Sequence, residues 1–240
     1  MRIAFVLAAV ALGAIALQAQ AANLVVNGGF ENTTNGIGQF DNNTSAVGWT
    51  SNGYNFVFGA GSADTSGVVG QYGGLTLWGS NNGGNSTFAA SPTGGNFVGA
   101  DGAYLVAPIQ QTLSGLKPGQ KVVISFDWAA AQQHGYTGDT TEKWKVSLGN
   151  QTISTSTYQL PSHNFSGWMH ERFVFTATGP TEILSFLAVG TPNGKPPFSL
   201  LDGVSGTVPE PASWALMIAG LGLVGSTLRL RRRTAVVVAA

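Results

Sequence analysis

Few residues in this chain are of types that carry chemistry. His134, His163 and His170 are its only histidines, and no two share a metal-binding spacing on one element. His170-Glu171 opens a strand-like run, not the helix that an HExxH zinc site requires. Cysteine is absent, which removes zinc–thiolate sites and thiol nucleophiles. No GxSxG elbow occurs. The glycine pairs Gly73-Gly74, Gly83-Gly84 and Gly94-Gly95 lack the strand-to-helix context of a phosphate loop. A glycosidase needs two carboxylates about 5 to 10 Å apart. With 11 acidic residues some pair can meet, but no motif singles one out. The expectation is a non-enzymatic protein, with a carbohydrate-active enzyme as the alternative.

The aromatic residues divide into two sets. Phe126, Trp128 and Trp144 occupy alternating strand positions and read as core. Tyr54, Tyr72, Trp78, Tyr104 and Tyr136 lie beside Gly- and Asn-rich stretches. Exposed rings there can stack on sugars, and buried ones are packing. The sequence assigns no ligand-binding residue.

Both ends of the chain read as addresses. Arg2 and the apolar run Ile3 to Leu17 precede Ala19-Gln20-Ala21, a small-residue cleavage site. Residues 1–21 are therefore expected to be a signal peptide cut by signal peptidase, leaving Ala22 first; the alternative is an uncut signal anchor. Residues 208–233 hold three pieces in a row. These are Pro209-Glu210-Pro211, the uncharged stretch Ala212 to Leu228, and the cluster Arg229, Arg231, Arg232 and Arg233. The stretch at 212–228 is at the short end of a transmembrane helix, roughly 17 to 25 residues at about 1.5 Å each. Basic residues beside a span stay cytoplasmic, so the body is expected on the other side of the membrane. The two prolines keep the helix from running back into the body. Residues 234–240 form a short apolar extension.

The order of these tail pieces resembles the PEP-CTERM sorting signal of exopolysaccharide-producing Gram-negative bacteria. The resemblance implies an exosortase-type enzyme that processes the chain near Pro209-Glu210-Pro211. The protein would pass through the inner membrane to the cell surface or extracellular matrix, with exopolysaccharide as a partner in a biofilm. A plain inner-membrane anchor is the other reading of the same tail.

Between the ends the chain is acidic. Arg2 and the tail arginines take 5 of the 11 basic residues, and Glu210 takes one of the 11 acidic ones, which leaves 6 against 10. Such a body has no basic footprint for nucleic acid. Its glycines cluster between apolar alternating runs, the pattern of an all-β domain with tight turns. Strands are expected at Asn23–Val26, Tyr54–Phe58 (half-buried), Leu75–Trp78, Ile109–Leu113 and Lys121–Trp128. Others are expected at Trp144–Leu148 and Gln151–Thr155 around a Gly149-Asn150 turn, and at Arg172–Ala177, Leu184–Val189 and Ser199–Val204. Gly79 to Thr87 has no evident anchor and reads as a disordered or binding loop. No amphipathic helix is expected in the body. The set predicts a two-sheet sandwich over residues 22–207, arranged as a jelly roll.

The opening NLVVNGGFE, the later GW, IQQTLSGLKPGQKVVISFDW and the closing SLLDGV resemble galactose-binding-like jelly rolls and carbohydrate-binding modules. That resemblance implies that the first and last strands meet, with a structural calcium where they join. Carried over, Glu31 and Asp202 supply carboxylates, and backbone carbonyls complete the six to eight oxygens Ca²⁺ takes. The usual motif has a second acid or amide after the first, and here it is Gly203. The other reading is that Glu31 and Asp202 cap turns. The body is expected to act as a surface or matrix protein with weak glycan binding. The alternatives are an enzyme on the same sandwich and a membrane-anchored periplasmic domain.

Overall fold

The computed structural model describes residues 22–209, together with Ile218, Leu221 and Gly222. The strands are β1 (Gly38–Gln39), β2 (Asn55–Phe58), β3 (Val68–Gly70), β4 (Gly73–Leu75), β5 (Phe97–Asp101), β6 (Ile109–Ser114) and β7 (Lys121–Gln132). They continue with β8 (Thr140–Leu148), β9 (Gln151–Ser154), β10 (Tyr158–Leu160), β11 (Met169–Thr176), β12 (Thr181–Thr191) and β13 (Pro197–Thr207). Between residues 22 and 209 the only helical turn is a 3₁₀ turn at Ser80–Asn82. Six strands form one sheet in the order β1-β2-β5-β13-β7-β11. The facing sheet runs β10-β8-β12-β6, with β9 paired to β8. The result is the expected jelly-roll sandwich.

The core between the sheets follows strand periodicity. Val122, Ile124, Phe126 and Trp128 of β7 face Trp144, Val146 and Leu148 of β8 and Leu184, Phe186 and Ala188 of β12. The Trp144 indole N–H donates across the sandwich to the Leu200 carbonyl at 3.0 Å, satisfying a buried donor while linking the sheets. The Gly149-Asn150 hairpin forms as expected, with Gly149 at φ +55° and Leu148 opposite Gln151.

A second core covers the outer face of the six-stranded sheet. Phe56, Phe58, Phe97, Phe198 and Leu200 point outward from their strands and are buried under Leu75, Leu77 and Phe165. Strand β2 is therefore buried on both faces, not half-buried: Val57 belongs to the inter-sheet core, while Phe56 and Phe58 belong to the outer one.

The stretch from Gly79 to Thr87 helps to build this cover, contrary to the expectation of an unanchored loop. Its asparagines and serine hold it by side-chain hydrogen bonds. Asn82 Nδ2 donates to the Leu77 carbonyl at 2.8 Å, and Asn85 Nδ2 donates to that of Ser162 at 3.1 Å. Ser86 Oγ donates to the Phe165 carbonyl at 3.2 Å and accepts from the Phe165 N–H at 2.7 Å. Asn23–Val26 is not a regular strand. It meets β13 at Gly206 instead, with the Leu24 N–H on the Gly206 carbonyl at 2.7 Å and the Gly206 N–H on Asn23 Oδ1 at 2.9 Å, and the turn after it follows with the Val204 N–H on the Gly28 carbonyl at 2.9 Å.

Candidate functional site

Four tyrosines that are far apart in the sequence line one pocket at an end of the six-stranded sheet. Tyr54 precedes β2, Tyr72 sits in the β3–β4 turn, Tyr104 follows β5 and Tyr136 follows β7. The cavity measures about 380 Å³. Tyr54 forms its inner wall at 7% exposure, while Tyr72 is 64% exposed. The Tyr54 ring meets Tyr104 edge-on at 5.5 Å and lies 5.8 Å from Tyr72. The hydroxyls of Tyr72 and Tyr104 share a hydrogen bond at 3.0 Å. Trp78 stands behind this wall: its indole N–H donates to the Tyr136 carbonyl at 2.8 Å, and its ring packs between His134 and His163. Those two histidines thus serve as packing partners, and the third, His170, pairs through Nδ1 with Asp127 Oδ1 at 2.9 Å.

The polar groups of the pocket are Asp101, Gln133 and Asn193. Sequence reasoning did not single them out. Asp101 lies only three residues before Tyr104, a proximity that could have flagged it. Asp101 Oδ1 accepts the N–H groups of Ala103 at 2.8 Å and Tyr104 at 3.1 Å, which fixes the turn that presents Tyr104. Its Oδ2 has no hydrogen-bond partner. Burial pushes the Asp101 pKa up to about 6, against the pull of those two N–H groups. Burial, then the Asp101 charge, raises the Tyr54 phenol to about 12. Rings with exposed faces beside a carboxylate and two amides can bind a sugar, stacking on its apolar face and bonding its hydroxyls. Among the described residues lining the pocket Asp101 is the one carboxylate, whereas glycoside hydrolysis uses two.

Glu31 and Asp202 come together at the junction of the first segment and β13. Asp202 is fully buried; its Oδ2 accepts the hydroxyls of Ser91 and Thr93, and its Oδ1 is unpartnered. Glu31 Oε1 accepts the Asn96 N–H at 2.8 Å. A Cβ on Gly29 would lie 3.8 Å from Asp202 Oδ1 and 3.9 Å from Glu31 Cγ, so both acids flank that glycine. Burial is the main cause that raises the Asp202 pKa to about 6, and the Glu31 charge adds to it. The arrangement has features of both readings, since Glu31 and Asp202 hold turn donors and one buried carboxylate oxygen is left over. That oxygen is of the hard kind Ca²⁺ takes, so the residues present fit the ion in donor type. Among the described residues, no group of three or more His, Cys, Asp or Glu could hold a metal, so backbone and hydroxyl oxygens would complete any shell.

Gly203 is explained by the backbone. Asp202 stands opposite Asp127 and Ser205 opposite Ser125, so Gly203 and Val204 share a single partner residue in a β-bulge. Gly203 takes φ +58°, and a Cβ there would lie 3.0 Å from Asp127 Oδ2.

Of the sorting residues, Pro209 is exposed at the end of the described body. Glu210, Pro211, Arg229, Arg231, Arg232 and Arg233 lie outside the described residues, as do Ala19 and Ala21. The expected transmembrane helix at 212–228 also lies outside them, apart from Ile218, Leu221 and Gly222. No helix among the described residues is long and apolar enough to cross a membrane.

The PEP-CTERM protein-sorting motif matches residues 207–233, so the chain carries that signal. No curated protein matches the chain. The fold is similar to solved carbohydrate-binding modules. One is TmCBM61 in complex with beta-1,4-galactotriose, at 16% identity over 78% of this chain and 99% of that one, TM-score 0.39. Another is the CBM22-1 xylan-binding domain from Paenibacillus barcinonensis Xyn10C, at 13% identity over 80% of this chain and 97% of that one, TM-score 0.40. A CBM4 structure shares 18% identity over 77% of this chain and 99% of that one, TM-score 0.35.

Proposed function

We propose that this is an exported, non-enzymatic protein of the cell surface or extracellular matrix that an exosortase-type system sorts and that binds glycan in the tyrosine pocket. The sorting motif supports the destination. The observation that carries the activity is the convergence of Tyr54, Tyr72, Tyr104 and Tyr136, from four separate segments, on one pocket with Asp101, Gln133 and Asn193. Packing alone does not account for Tyr72, whose ring is mostly in water. Exopolysaccharide is the partner such a pocket would meet at a bacterial surface. Glu31 and Asp202 would hold a structural calcium that pins the first segment to β13, away from the pocket.

The test is glycan-array binding of the full-length chain with a parallel assay for released reducing sugar. The proposal expects binding that Tyr72→Ala abolishes, and no turnover. Sugar release that is lost when a single carboxylate is replaced would establish the enzyme instead. An array signal unaffected by Tyr72→Ala would remove the pocket from the account.

A further inference from the structure

We infer that the tyrosine pocket selects glycans bearing a free amine, such as 2-amino-2-deoxy sugars, over neutral and over carboxylated ones. The inference rests on the glycan-binding reading and deepens it.

The pocket's fixed charge has one sign. Asp101 is its one carboxylate, and neither lysine nor arginine is among its lining residues. Lys195 stands in the same loop as Asn193 and Pro196, but its ammonium is turned against Gly138, 2.1 Å from where a Cβ there would sit. Asp101 is 1% exposed, so its charge acts through protein more than through water, and its field is screened little. The backbone satisfies Oδ1, while Oδ2 has no donor. A buried carboxylate oxygen without a donor is costly, and a cation brought close to it offsets that cost.

The tyrosines reinforce the choice. Each ring face carries negative potential that attracts a cation, and Tyr54, Tyr72 and Tyr104 meet around the same space. Their mutual distances of 5.5 to 6.1 Å put the rings in contact with one another. The exposed ring of Tyr72 suits the apolar face of a pyranose, with the amine directed toward Asp101. A uronate would place its own charge against Asp101 and be repelled.

The experiment compares three hexamers on the full-length protein in mild detergent: β-1,4-linked glucosamine, its fully N-acetylated counterpart and an oligouronate. Titrations are run above the Asp101 pKa of about 6, at a pH where the ionised carboxylate and the protonated sugar amine are both substantially populated. The expected order is amine, then acetamide, then uronate, with about tenfold between the first two. Asp101→Asn keeps the Oδ1 acceptor for Ala103 and Tyr104 but removes the charge, and should bring the ratio of amine to acetamide binding close to one. Equal binding of amine and acetamide by the native chain would overturn the inference and leave glycan binding in place. A preference that survives Asp101→Asn would overturn it too. A lysine hexapeptide titrated alongside as a control should bind less tightly than the amino sugar; equal binding would also overturn the inference, since the site would then read charge alone. Loss of all three ligands together with an unaltered melting temperature in Tyr72→Ala would support the shared pocket. No binding of any hexamer to the native protein would instead fail the glycan reading itself.

Discussion

Asp202 of β13 and Asp127 of β7 stand directly opposite each other, so the two carboxylates project from the same face of the six-stranded sheet. Like charges so placed repel. Asp127 Oδ1 pairs with His170 Nδ1, and Asp202 Oδ2 accepts the hydroxyls of Ser91 and Thr93, yet Asp202 Oδ1 stays without a partner. A cation held by Glu31 and Asp202 would relieve the remainder.

The first prediction follows from that relationship. Calcium that binds only the folded chain should stabilise it, by about 2.7 kcal/mol at a free concentration 100 times the dissociation constant. The melting temperature should rise with calcium and fall with chelator. Because burial holds the Asp202 pKa near 6, the calcium effect should fade as pH drops below that value and the carboxylate takes up a proton. A calcium shift that survives Asp202→Ala would exclude the site.

The bulge gives a second prediction. Gly203 has φ +58° and no room for a Cβ beside Thr93 and Asp127. Gly203→Ala should destabilise the fold by about 1 to 3 kcal/mol, read as a lower denaturation midpoint at unchanged slope. A neutral outcome would mean that the bulge can flatten.

Glu142 supplies the third. It is fully buried on β8, neither carboxylate oxygen has a partner, and burial raises its pKa to about 8 despite the nearby Thr140 hydroxyl. The folded chain therefore holds this proton more tightly than the unfolded one. Stability from this group is complete below the ordinary carboxyl pKa of 4.5 and declines as pH rises through about 8. Glu142→Gln should flatten that decline and raise stability at alkaline pH by a few kcal/mol. Identical pH profiles for the two proteins would show that Glu142 ionises as freely folded as unfolded.

Asn82 supplies the fourth. Its side chain accepts the Gly79 N–H at 3.0 Å and donates to the Leu77 carbonyl at 2.8 Å. Asn82→Ala should cost about 1 to 3 kcal/mol and speed amide exchange between residues 79 and 87. Exchange that is already fast in the native chain would return this stretch to the status of a free loop.

The sequence made the inter-sheet core legible because alternation in β7 and β8 is long and unbroken. It did not reveal β5, where Gly99 interrupts the apolar run; a Cβ there would lie 2.8 Å from the Phe58 ring, so the glycine makes room for the outer core. That second core also explains the misreading of β2. Phe56 and Phe58 alternate as a half-buried strand would, and only the distant cover formed by Leu75, Leu77 and Phe165 buries their outward face. The tyrosine pocket was legible as a set of candidate rings but not as a place. Tyr54 and Tyr136 are 82 residues apart in the chain, and no local pattern encodes their meeting.

Intact-mass analysis of the surface fraction from the native host tests whether this chain is a sorted surface protein. If the apolar stretch at 212–228 enters the membrane, the four arginines after it would halt transfer, each costing about 2.5 to 3.5 kcal/mol at the centre of a membrane helix. On this reading the halted chain would offer Pro209-Glu210-Pro211, whose prolines disfavour a helix, to a processing enzyme outside the membrane. The mass should correspond to a chain that begins at Ala22 and lacks everything from about Ala212 onward, and replacing Pro209 and Pro211 should leave the uncut tail in the inner membrane. Tryptic peptides from 212–228 recovered in the surface fraction would contradict the claim and leave a permanently anchored protein.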